Sequence, residues 1–111
     1  MATFQVTVYT ADGQSGGSFD PTSLLANAGD LVTFISQHKG NSPPDEISIN
    51  FASGNICQTD GKSSQNQLVL SGNGSANVMV CSNAGKEQVL VTYQLGNVDE
   101  ADPDPIFDDD D

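Results

Sequence analysis

The stretch Ala28-Gly29-Asp30-Leu31-Val32-Thr33-Phe34-Ile35-Ser36-Gln37 decides the fold. Its first three residues read as a turn, because Gly tolerates a left-handed backbone and Asp can bond neighbouring N–H groups with its own side chain. The run that follows is rich in β-branched and aromatic residues and nearly continuous in apolar character, with no helical period. A short apolar run of that kind bounded by a turn is a central strand.

Outward from this strand the same pattern repeats at short intervals. Upstream, Phe4, Val6 and Val8 alternate with Gln5, Thr7 and Tyr9, and Asp12-Gly13 with Ser15-Gly16-Gly17 end the stretch. A short extended piece near Ser18-Phe19 stops at Pro21, and Thr22–Asn27 carries Leu24 and Leu25. Downstream, the polar loop His38–Asp45 contains Pro43-Pro44, which excludes regular sheet there. Ile47, Ile49 and Phe51 then mark a half-buried strand. Ala52–Asn66 reads as loop, with a turn at Asp60-Gly61. Gln67–Leu70 and Asn77–Cys81 flank Ser71-Gly72-Asn73-Gly74, a hairpin-type connection. Val89, Val91 and Tyr93 mark a last strand over Gln88–Gln94. Seven to eight short strands with period-two patterning predict an all-β, Greek-key sandwich.

Composition agrees. The chain has 111 residues, 11 Gly, no Trp and only three Lys plus Arg, all of them Lys, so long surface helices lack their usual residues. The formal net charge of −12 is placed unevenly. Residues 1–96 hold seven acids and three lysines, and residues 97–111 hold eight acids and no base. The expected organisation is a domain over 1–96 and an acidic, disordered tail over 97–111. Nucleic-acid binding is excluded for want of clustered cations. Membrane insertion is excluded because no apolar run approaches the roughly 20 residues of a spanning helix. Met1-Ala2-Thr3-Phe4 has no signal-peptide character, so the chain reads as cytoplasmic at face value. Its Arg-free, Asn/Ser-rich surface equally suits an exported protein.

The ordered series of segments resembles the cupredoxins, the plastocyanin-like β-sandwiches. The resemblance covers roughly residues 3–95. It is carried by Val6-Thr7-Val8, Asp12-Gly13, Ser18-Phe19-Asp20-Pro21, the Ala28–Phe34 stretch, Leu68-Val69-Leu70 and Val78-Met79-Val80-Cys81-Ser82. It implies a copper site that the residues do not supply. A blue-copper centre needs two imidazoles and a thiolate, usually with an axial thioether. Cys81 matches the thiolate position, but Ile47 stands where the resemblance would put the first His, and the loop after Cys81 offers neither His nor Met. The chain has one His. No cofactor is expected. The resemblance would bring His38 to the same end as Cys81, leaving His38, Cys81 and Met79 as the one conceivable degenerate metal set, against a reading of His38 as a solvent-exposed loop residue.

Cys57 and Cys81 are the only cysteines. Three readings stand: a disulfide, two structural thiols, or a functional thiol at Cys81. No catalytic constellation emerges. A hydrolase triad needs a base and a positioned nucleophile, and His38 is the only imidazole. The Asn73-Gly74-Ser75 sequon reads as a turn. In the tail, Ile106 and Phe107 are an apolar anchor set among carboxylates, followed by Asp108, Asp109, Asp110 and Asp111. Such a segment can dock in a pocket with a basic rim, or simply keep the protein soluble. The expected function is a non-enzymatic binding or assembly module that meets a protein partner or itself. The alternative is a copper-binding or electron-transfer protein with a degenerate site.

Overall fold

A computed structural model of the chain describes residues 2–13, 16–51, 55–82 and 88–100, with the backbone alone over 97–100. Every regular element in it is a strand. These are β1 (Thr3–Ala11), β2 (Ser18–Asp20), β3 (Ser23–Ala26), β4 (Leu31–Lys39), β5 (Pro44–Phe51), β6 (Ile56–Cys57), β7 (Gln67–Ser71), β8 (Ser75–Val80) and β9 (Val89–Glu100). They form a five-stranded sheet in the order β2-β1-β4-β8-β6 and a four-stranded sheet in the order β3-β9-β5-β7. The all-β, two-sheet prediction is met. No helix among the described residues is long and apolar enough to cross a membrane.

The alternation read from the sequence becomes the inner faces of the two sheets. Val6 and Val8 of β1, Val32 and Phe34 of β4, and Val78 and Val80 of β8 are fully buried, as are Ile49 of β5 and Val91 of β9 on the facing sheet. Phe34 lies at the centre. Its ring meets Phe51 at 5.5 Å and Tyr93 edge-on at 5.3 Å, and Phe19 touches Tyr93 at 4.9 Å. The Tyr93 hydroxyl donates to the carbonyl of Pro21. That bond fastens the turn where the chain leaves one sheet for the other, between β2 and β3. Burial pushes the Tyr93 phenol up to about 12.

Several boundaries differ from the sequence reading. β4 runs two residues farther, through His38 and Lys39, and β5 opens at Pro44, a first-strand position that Pro can occupy because its missing N–H costs no ladder bond there. The Ser71–Gly74 connection is not a hairpin: β7 pairs with β5, whereas β8 pairs with β4 and β6, so this turn carries the chain across the sandwich. Within the expected loop 52–66, Ile56-Cys57 adds an edge strand. β9 continues past the expected boundary at 96, with Val98, Asp99 and Glu100 in register with Ile47, Glu46 and Pro44. The register slips between Ile47 and Ile49, opposite Gly96 and Asn97. A side chain at Gly96 would meet the Asn50 amide at 2.8 Å and the Ser48 hydroxyl at 2.9 Å, so glycine lets the bulge close beneath them. Residues 101–111, with Ile106, Phe107 and Asp108–Asp111, lie outside the described residues.

Candidate functional site

The parallel pairing of β1 with β4 sets the first polar cluster. Thr10 and His38 are register partners across these strands. Asp12 follows Thr10 by two residues, the spacing that keeps side chains on one face. The Thr10 hydroxyl lies 2.8 Å from His38 Nδ1, and Asp12 Oδ1 lies 2.6 Å from His38 Nε2. With a carboxylate against Nε2, the network assigns the ring proton there and leaves Nδ1 to accept from Thr10. Asp12 also accepts the backbone N–H groups of Asn41 at 2.8 Å and Ser42 at 3.2 Å. The His38 bond and the Asn41 N–H hold its carboxyl below the usual range. Gly40, at φ +133°, makes this approach possible: a Cβ there would fall 2.2 Å from the Asp12 carboxylate. The His38 N–H donates to Asn73 Oδ1 at 2.9 Å, and Asn73 has a left-handed φ of +64°.

Hydroxyl, imidazole and carboxylate in this order are the groups of a nucleophilic relay. The burial runs the wrong way. Thr10 is 4% exposed, whereas the Asp12 side chain is 42% exposed. A relay needs an accessible nucleophile and a sheltered acid. The cluster is instead a latch that ties the β1 end to the β4–β5 loop. His38 is no solvent-exposed loop residue: it stands in β4 with its side chain 3% exposed.

The opposite end of the sandwich holds the cysteines. Cys57 and Cys81 are joined by a disulfide with their Cα atoms 5.0 Å apart. Nearby, Asp30 accepts the N–H groups of Ala2 and Asn27, each at 2.8 Å, which holds its carboxyl below the usual range despite burial. Asp60 accepts from Lys62 N, Ser63 N and the Ser63 hydroxyl and is held at about 2. Leu31 of β4 is register partner to Met79 of β8, so Met79 and Cys81 lie at the start of β4 while His38 lies near its finish. Seven residues of strand separate those levels, roughly 23 Å. The expectation that His38 shares an end with Cys81 is therefore corrected, and with it the degenerate set His38, Cys81 and Met79. The disulfide also removes the Cys81 thiolate. Among the described residues no three His, Cys, Asp or Glu side chains cluster for a metal.

Sequence reasoning missed a third feature. A hollow of about 360 Å³ opens beside the latch, lined by Tyr9, Thr10, Ala11, Gly17, Ser18 and Lys39. Tyr9 is 41% exposed there. Among the described residues the only ion pair is His38–Asp12, so the Lys39 ammonium has no carboxylate partner. The only sequence signal was that tyrosine and lysine are scarce. What brings them together is the β1–β4 pairing. Comparison with protein-family models, curated proteins and solved structures gives no match.

Proposed function

We propose that the protein is a non-catalytic binding or assembly module, built on a cupredoxin-like Greek-key scaffold without its copper chemistry, whose acidic C-terminal stretch engages a basic surface on a partner. The observation that carries this reading is the register of β9 on β5. It sets Asp99 opposite Glu46 and Glu100 opposite Pro44, beside Asp45. Like charges opposed across a ladder destabilise a sheet. The six further acids of residues 101–111 follow directly. A concentration of charge that works against the fold fits a surface whose repulsion is relieved by a cationic partner. The cupredoxin-like part of the reading is supported by the Ala28-Gly29-Asp30 turn, which does open a long strand, and by Val78–Val80, which does form one. The non-catalytic part is supported by the engagement of the sole imidazole and both cysteine sulfurs in structural bonds.

The test compares the full chain with a variant carrying Asn at 108–111, using a partner captured by cross-linking. Association of the wild type should be slower at high salt, and the Asn variant should be slow at every salt concentration. Equal rates for both chains at low ionic strength would end this reading.

A further inference from the structure

Strand register builds the hollow beside the latch. Tyr9 and Ala11 lie two apart on β1 and share its outer face, away from the core side that holds Val8 and Thr10. Ser18 of β2 is the register partner of Tyr9, and Lys39 of β4 is the register partner of Ala11. The small Ala11 side chain is thereby set among three larger ones, and all four line the hollow of about 360 Å³. Gly17 supplies a further wall from its backbone: a Cβ there would fall 2.5 Å from the Tyr9 carbonyl oxygen, so glycine lets the chain entering β2 lie this close to β1. The volume is that of a site for a small organic molecule. The lining carries one charge, and it is positive. None of its six residues is acidic, in a chain with 15 Asp plus Glu and only three lysines. The Lys39 ammonium has no carboxylate within ion-pair distance among the described residues, and the Tyr9 residue is 41% exposed. Ser18 adds a hydroxyl that can donate or accept. An aromatic ring settles edge-to-face or offset against another ring, and a free ammonium favours a carboxylate.

We infer that the hollow binds a small aryl carboxylate, a planar-ring compound bearing one carboxylate, with its ring against Tyr9 and its carboxylate on the Lys39 ammonium beside Ser18. One negative charge is what the site admits. A single lysine neutralises a single carboxylate, and the net charge of −12 on the chain repels a polyanion. Such a site is independent of the C-terminal stretch and gives the module a small-molecule ligand besides its partner.

The experiment titrates the full-length, ¹⁵N-labelled protein with 2-naphthoate, with its neutral isostere 2-naphthamide and with acetate. The expected result is a saturable movement of the Tyr9, Ser18 and Lys39 amide resonances by 2-naphthoate, with those around Cys57 and Cys81 left in place. 2-Naphthamide keeps the ring and loses the charge, and should bind about tenfold more weakly. Acetate keeps the charge and loses the ring, and should also bind more weakly than 2-naphthoate. Lys39→Gln should abolish the difference between the acid and the amide, and Tyr9→Ala should weaken 2-naphthoate by about two- to tenfold. Both side chains are exposed, so each variant should keep the wild-type spectrum away from the hollow. Lys62→Gln removes a lysine beside Asp60, at the disulfide end, and should leave binding unchanged. No saturable movement at Tyr9, Ser18 and Lys39 up to about 10 mM 2-naphthoate would overturn the inference, since binding would then be weaker than any ligand of this size requires. Equal binding of acid and amide by the wild type, or a loss in Lys62→Gln as large as that in Lys39→Gln, would overturn it as well.

Discussion

Breaking the bond between Cys57 and Cys81 should remove a large share, roughly a quarter to two thirds, of a typical small domain's margin of stability. The two residues are 24 apart in sequence. A cross-link of that span lowers the entropy of the unfolded chain by an amount equivalent to about 3.4 kcal/mol at 25 °C. The loop it closes contains β7 and β8, which lie in different sheets, so the unfolded chain is denied a large set of separations between the halves of the sandwich. Both residues are buried, and Cys81 follows an edge pairing of β6 on β8 that has only two registered rungs, Ile56↔Val80 and Cys57↔Met79. Urea unfolding followed by far-UV circular dichroism should show the loss directly, with oxidised protein compared to protein held in a thiol reductant. The Cys57→Ala/Cys81→Ala double variant serves as a second reduced state. Set against a domain stability of about 5–15 kcal/mol, such a loss lowers the thermal midpoint by about 15–25 °C. A loss below about 1 kcal/mol would refute the reasoning, because residues 58–80 would then be constrained in the unfolded chain without the bond.

Three further outcomes follow from the geometry. Gly40→Ala should destabilise by at least about 1–2 kcal/mol in urea melts, since it combines an unfavourable φ with a clash against the Asp12 carboxylate; pairing it with Asp12→Ala should recover part of the loss. Asp30 has its carboxyl depressed by the Ala2 and Asn27 N–H groups, so its contribution is present above the unfolded value near 3.9 and is lost as pH falls through the lower folded value; Asp30→Asn should flatten that part of an acid-unfolding curve. Tyr93 has its pKa raised to about 12, so its contribution holds below the unfolded value near 10 and is lost between there and about pH 12. Ultraviolet titration should show one phenol ionising near the upper limit, and Tyr93→Phe should abolish that step.

The strands were legible because burial follows side-chain alternation, and alternation is local. Val6 and Val8, Val32 and Phe34, and Ile47 and Ile49 could each be assigned to an inner face from their own neighbours. The latch was not legible. Asp12 and His38 are 26 residues apart and meet only because β1 and β4 run parallel, a pairing that leaves no mark in either segment. Once the pairing is known, Asp12-Gly13 and His38-Lys39-Gly40 read as its two halves. The end of β9 was missed for another reason. The shift in composition at residue 97 suggested a boundary, but backbone pairing does not need apolar side chains, and the bulge at Gly96 breaks the alternation before Val98 resumes it opposite Ile47. The cysteine pairing stayed open because two thiols in a sequence carry no distance.

The direction of travel through the sandwich has a mechanical consequence. The chain enters β1 at the disulfide end and leaves β9 at the other, and both strands lie inside their sheets rather than at an edge. Tension applied through these two strands therefore acts along their length. Nine registered rungs between β1 and β4 must then slide together before the first strand detaches, whereas a hairpin pulled from its open end gives way one rung at a time. The bridge between Cys57 and Cys81 crosses neither of the loaded interfaces. Reduction should soften the domain to heat and denaturant while leaving the force at which it tears nearly unchanged, so resistance to stretching and resistance to unfolding have separate structural origins in this chain.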